Sequence, residues 1–86
     1  MNISDLKLAP DVTAEQQALL NEQFGGRLYA VATHPHGQDA KHYVIIGDER
    51  LHAEFTMGKG EWLMLEADPA RFQSGIVQPI IKMLEA

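Results

Sequence analysis

The chain has 86 residues, 45% hydrophobic and 22% charged, a composition that belongs to one folded domain (residues 1–86) and not to a disordered chain. Twelve acidic and seven basic residues give a net charge of −5 with no long block of one sign. Such a surface repels phosphate backbones and anionic lipid, so neither nucleic acid nor membrane is an expected partner. There is no cysteine, which excludes disulfides, thiolate catalysis and every Cys-containing zinc site.

A domain of this length buries only about 60–65% of the surface its unfolded chain exposes, which leaves room for one two-layer core and shallow grooves. Dimerisation is a natural way for it to bury more. Met1 to Leu8 has neither the basic start nor the continuous apolar stretch of a leader, and no run nears the ~20 apolar residues of a membrane span. The expected location is the cytoplasm.

Residues 1–10 are either a frayed end or a short edge strand carrying Ile3, Leu6 and Leu8, closed by Pro10. Thr13-Ala14-Glu15-Gln16 has the form of a capping box, and Leu19, Leu20 and Phe24 follow at helical spacing. Gly25-Gly26 then closes a helix over residues 13–24. Arg27 to Thr33 reads as a first strand. The loop from His34 to Ala40 follows, and His42 to Ile46, almost wholly apolar, reads as a second, central strand. Gly47-Asp48-Glu49 turns the chain into Arg50 to Met57, which alternates polar and apolar residues without a break. Side chains point to opposite faces of a strand in turn, so Leu51, Ala53, Phe55 and Met57 face a core and Arg50, His52, Glu54 and Thr56 face away from it. Gly58-Lys59-Gly60 reads as another turn, with Trp62 to Leu65 as a short fourth strand.

Asp68-Pro69 starts a second helix, with aspartate capping free amides and proline at the first helical position. Phe72, Ile76, Ile80 and Leu84 recur every fourth residue, while Pro79 predicts a kink or two short helices meeting near Gln78. The expected architecture is α+β: a two-layer α-β-β-β-β-α domain, its four-stranded antiparallel meander carrying both helices on one face.

A two-residue turn at Gly47-Asp48 pairs Ile46 with Glu49. Val44 then lies opposite Leu51, and His42 opposite Ala53, on the core side. On the outer side Lys41 meets Glu54, Tyr43 meets His52 and Ile45 meets Arg50. A three-residue turn would send Val44 and Ile46 outward instead. In the first register the outer face carries Tyr43, Ile45, Arg50, His52, Glu54 and, from the segment Trp62 to Leu65, Trp62, a mixture of aromatic, aliphatic and charged groups favoured at interfaces. Scattered apolar residues on a sheet face that bind nothing give the same pattern.

His34-x-His36, with Asp39 and His42 nearby, is the one cluster of potential metal ligands, since imidazoles two apart on an extended chain point the same way. A solvated loop is the plainer interpretation of its Pro35 and Gly37. Ser4 and Ser74 lack a neighbouring base, and the Gly pairs lack phosphate-loop spacing. His52 and Glu54 share a strand face as base and orienter would, but so do two polar residues on any wet sheet. No catalytic residue and no cofactor is expected.

The order helix, antiparallel sheet, helix resembles the outline of double-stranded RNA-binding domains. Their second helix needs a basic start, and Asp68-Pro69-Ala70-Arg71 supplies one arginine and an acidic cap, so that function is rejected. Glu49-Arg50-Leu51-His52-Ala53-Glu54-Phe55 and Asp68-Pro69-Ala70-Arg71-Phe72 resemble stretches in the small uncharacterised proteins of Burkholderia-type proteobacteria. That resemblance implies a small bacterial protein and brings no catalytic residues with it. The residues therefore suggest two functions. One is a non-enzymatic interaction or accessory domain that uses its outer sheet face or an edge strand, toward itself or another protein. The other is a weak metal- or small-ligand-binding protein, conceivably a hydrolase, built on His34, His36 and His42.

Overall fold

A computed structural model describes residues 9, 11–33 and 42–85. Helix α1 (Ala14–Gln23) leads into strands β1 (Leu28–Thr33), β2 (His42–Gly47) and β3 (His52–Met57). Helix α2 (Lys59–Ala67) follows, then α3 (Pro69–Phe72), a π turn (Gln73–Val77) and α4 (Gln78–Glu85), which together form one unbroken helical run over 69–85. The three strands make a single antiparallel sheet in the order β1-β2-β3. The α+β class stands, but the sheet has three strands where four were expected, because Trp62 to Leu65 is helical.

Both ends of α1 form as their residues dictate. Thr13 Oγ1 accepts from the Gln16 amide at 3.1 Å, and the Thr13 amide donates to Gln16 Oε1 at 3.0 Å. At the other end Gly25 (φ 63°) and Gly26 (φ 82°) take left-handed conformations that few side chains tolerate. Their amides return to the carbonyls of Glu22 and Asn21, closing the helix.

The expected fourth strand fails for a local reason. Glu61 Oε1 accepts the Gly58 amide at 2.8 Å, which caps a helix start where a turn was expected. Leu63, Met64, Leu65, Glu66 and Ala67 are all strong helix formers. Helical spacing buries Trp62 and Leu65 on one face and leaves Leu63 exposed. A short apolar run suits a buried strand or a helix equally well, and here capping decides.

The helical run over 69–85 starts as expected, with Asp68 Oδ1 accepting the Arg71 amide at 3.3 Å and Pro69 in the first turn. The strain from Pro79 is taken up upstream. The Gln78 amide reaches back five residues to the Gln73 carbonyl, and this wider turn makes room for the ring without ending the helix.

The helices cover one face of the sheet. Leu20 of α1 and Phe24 at its C-terminal cap, Trp62 and Leu65 of α2, and Phe72 and Val77 behind them pack on Val31, Val44, Ile46 and Met57. Phe24 is the hinge of this core, with its ring 5.8 Å from Phe55 and 6.4 Å, edge-on, from Phe72.

Strands β2 and β3 pair Val44 with Phe55, Ile46 with Ala53 and His42 with Met57. The turn between them is therefore longer than two residues. Asp48 Oδ1 accepts the amides of Arg50 and Leu51, each at 2.8 Å, and the Asp48 amide donates to the Leu51 carbonyl at 2.9 Å. The expected pairings of Ile46 with Glu49, Val44 with Leu51 and Tyr43 with His52 are thus displaced. Tyr43 faces Thr56, and Glu54 faces Ile45; Lys41 lies outside the described residues. The slip moves each partner by an even number of residues, so the faces survive it. Ala53, Phe55 and Met57 face the core, and His52, Glu54 and Thr56 face away. Leu51 has left the strand for the turn, where it is 56% exposed.

Candidate functional site

Tyr43, His52 and Glu54, expected on the outer face, come together there around one carboxylate. The Tyr43 hydroxyl donates to Glu54 Oε2, and His52 Nε2 donates to Glu54 Oε1 at 3.2 Å. Burial, with the Glu54 carboxylate beside it, pushes the Tyr43 phenol up to about 12. His52 Nδ1 is buried and has no partner among the described residues. A carboxylate only accepts, so the proton of this imidazole sits on Nε2 and is held by Glu54. Nδ1 is therefore bare, but it is enclosed, out of reach of a substrate.

Arg50 and Trp62 do not join them. Arg50 sits in the β2–β3 turn with its amide on Asp48. Trp62 is 7% exposed inside the core, because the segment expected to be a strand is α2. Nor is the outer face a bare apolar surface. Ile45 and Ala32 point away from the helices and still have 0% and 2% of their surface exposed.

His42 belongs to a different cluster. The Trp62 indole donates to His42 Nδ1 at 2.8 Å, and His42 Nε2 lies 3.0 Å from Asp11 Oδ2. The hydrogen bond from His42 is the largest influence holding the Asp11 carboxyl below its ordinary value. Both nitrogens of His42 are thus committed to protein groups. His34 and His36 lie outside the described residues, and among the described residues no group of three His, Asp or Glu is arranged to hold a metal ion. Asp11 carries no local signal in the sequence; only the fold brings it to His42.

Two open clefts add little chemistry. One of about 350 Å³ is lined by Ala14, Gln17, Ala18, Asn21, Gly26 and Leu28. The other, about 470 Å³, lies between Gly26, Gly47, Leu51 and Leu84. Its charged rim is the exposed Arg27–Glu85 pair at 3.3 Å, a contact worth little in water.

The remaining feature is an edge. Because Asp48 donates to the Leu51 carbonyl, residues 48 and 51 form a hydrogen-bonded pair, and the alternation of an antiparallel ladder fixes the rest. Ala53, Phe55 and Met57 turn their backbone groups to β2. His52, Glu54 and Thr56 turn theirs outward, where no strand lies beside β3 and no backbone partner meets them among the described residues. The opposite edge is different, since the Val31 carbonyl accepts the Ala9 amide at 2.9 Å. Among the described residues, no helix is long and apolar enough to cross a membrane. No family model, curated protein or solved structure matches this chain.

Proposed function

We propose that this protein is a small non-enzymatic interaction module that docks an extended segment of chain on the outer edge of β3. The observation that carries this is the row of outward amides and carbonyls on His52, Glu54 and Thr56. An edge strand with unpaired backbone groups is a template for a further strand, and proteins that do not use such an edge blunt it with proline, lysine or a bulge. β3 contains none of these. Its Phe55, on the core side, is partly exposed, and an added strand would bring further side chains alongside it.

The test is a titration with an alternating Lys–Val peptide, followed through backbone amide NMR signals. The expected result is shifts centred on His52, Glu54 and Thr56, lost when the peptide is N-methylated along its hydrogen-bonding edge or when Thr56→Pro removes one outward amide. That substitution spares the ladder to β2, because the Thr56 amide points away from it. Equal binding by the N-methylated peptide, or shifts spread over the helices, would overturn the proposal.

A further inference from the structure

We infer that the segment seated on β3 is β3 of a second copy of this chain, antiparallel, with the two-fold axis at Ala53. This rests on the open-edge proposal and adds the identity and register of the partner.

Outward backbone groups belong to residues 52, 54 and 56, so a symmetric antiparallel pairing that joins at least two of them has three choices of centre. Centring on Glu54 sets two carboxylates directly opposite each other, which is destabilising. Centring on Phe55 pairs Glu54 with Thr56 and leaves His52 beside Gly58, beyond the strand. Centring on Ala53 leaves Thr56 opposite Arg50, in the turn, but places His52 opposite Glu54 of the second copy, twice, on the outer face. On the core side it places Leu51 opposite Phe55 of the second copy, twice.

Read in either direction from Ala53, Leu51 to Phe55 is therefore self-complementary. The outer face alternates base and acid around the axis: His52 and Glu54 of one copy already touch at 3.2 Å, and the second copy completes the square. On the other face Leu51, 56% exposed, gains a cover, and so does Phe55. A backbone ladder flanked by two apolar pairs falls below the about 1,200 Å² of a standard stable interface, so the dimer exchanges with monomer and fills at high concentration.

Sedimentation of the full chain from micromolar to millimolar concentration, joined to a cysteine scan, tests this. The mass is expected to rise from the 9.6 kDa monomer toward twice that value. Ala53→Cys, in a chain with no other cysteine, places two thiols across a non-hydrogen-bonded pair about 4.5 Å apart at Cα, within disulfide reach. It should oxidise to a covalent dimer at least about tenfold faster than Glu54→Cys or Phe55→Cys at equal concentration. His52→Glu, which leaves the core side of β3 untouched, should weaken dimerisation about tenfold by replacing two base–acid pairs with two acid–acid pairs. A chain that stays at 9.6 kDa at millimolar concentration overturns the inference, as does faster cross-linking through residue 54 or 55, or dimerisation unchanged in His52→Glu. If the Lys–Val peptide still binds the edge of a strictly monomeric chain, self-pairing alone falls. If the peptide fails as well, the open-edge proposal falls with it.

Discussion

The indole of Trp62 donates to Nδ1 of His42 at 2.8 Å. An indole N–H can only donate, so Nδ1 must be bare and the imidazole proton must sit on Nε2, facing Asp11. This one bond ties the start of β2 to α2, and Asp11 ties both to the approach to α1. Long-range nitrogen NMR at neutral to mildly alkaline pH should show His42 as the Nε2–H tautomer. Trp62→Phe should lower stability by about 1–3 kcal/mol, because it strips the partner from a nearly buried acceptor, and the loss would show as a lower denaturant midpoint. A His42 found as the Nδ1–H form would contradict the geometry.

Gly47 should tolerate no side chain. Its φ is +117°, and a Cβ there would sit 2.3 Å from the Leu51 carbonyl oxygen and 2.9 Å from the His52 Cα. Both obstacles are backbone, so relief must come from opening the turn that starts β3. Gly47→Ala is expected to cost about 1–3 kcal/mol in urea unfolding, whereas Gly60→Ala, with nothing near its Cβ position, should cost nothing measurable.

The pH profile of stability should fall at both ends for different reasons. Asp48 is held below its ordinary value by the Leu51 and Arg50 amides, and Asp11 by His42. Carboxylates depressed in the folded state stabilise it above the unfolded value of about 3.9, and this contribution is lost as pH falls through the folded value. Asp48→Asn should therefore flatten the acid limb of a melting-temperature profile. Tyr43 works in the opposite sense. Its phenol is raised to about 12, so the unfolded chain ionises first and stability drops as pH rises from about 10 toward that value. Tyr43→Phe should blunt that alkaline limb.

What the residues disclosed in advance follows the range of the interactions involved. The Thr13–Gln16 cap, the Gly25-Gly26 stop and the Asp68-Pro69 start depend on neighbours within a few positions, and each formed as expected. The alternation through Ala53, Phe55 and Met57 assigned the faces of β3 correctly even though the register slipped, because the slip was even. The turn itself was misjudged: Asp48 gathers two amides and lengthens it, and so pulls Leu51 out of the strand. Trp62 to Leu65 was misassigned because four apolar residues carry no period of their own, and Glu61 capping Gly58 was the available signal. That His52 and Glu54 share a face was legible from spacing alone; Tyr43 was placed beside them through a pairing with His52 that did not form, and it reaches Glu54 from its place opposite Thr56. The pairing of Asp11 with His42, 31 positions apart, was not, since only the assembled fold makes them neighbours.

The open edge of β3 is tested most directly by residue-resolved amide hydrogen exchange on a dilute sample, where dimers do not form. The amides of His52, Glu54 and Thr56 should exchange about a hundredfold or more faster than those of Ala53, Phe55 and Met57, which are bonded to β2 in the same strand. Equal protection along all six residues would mean that the edge is already satisfied within the chain, and that no partner strand has a place on it.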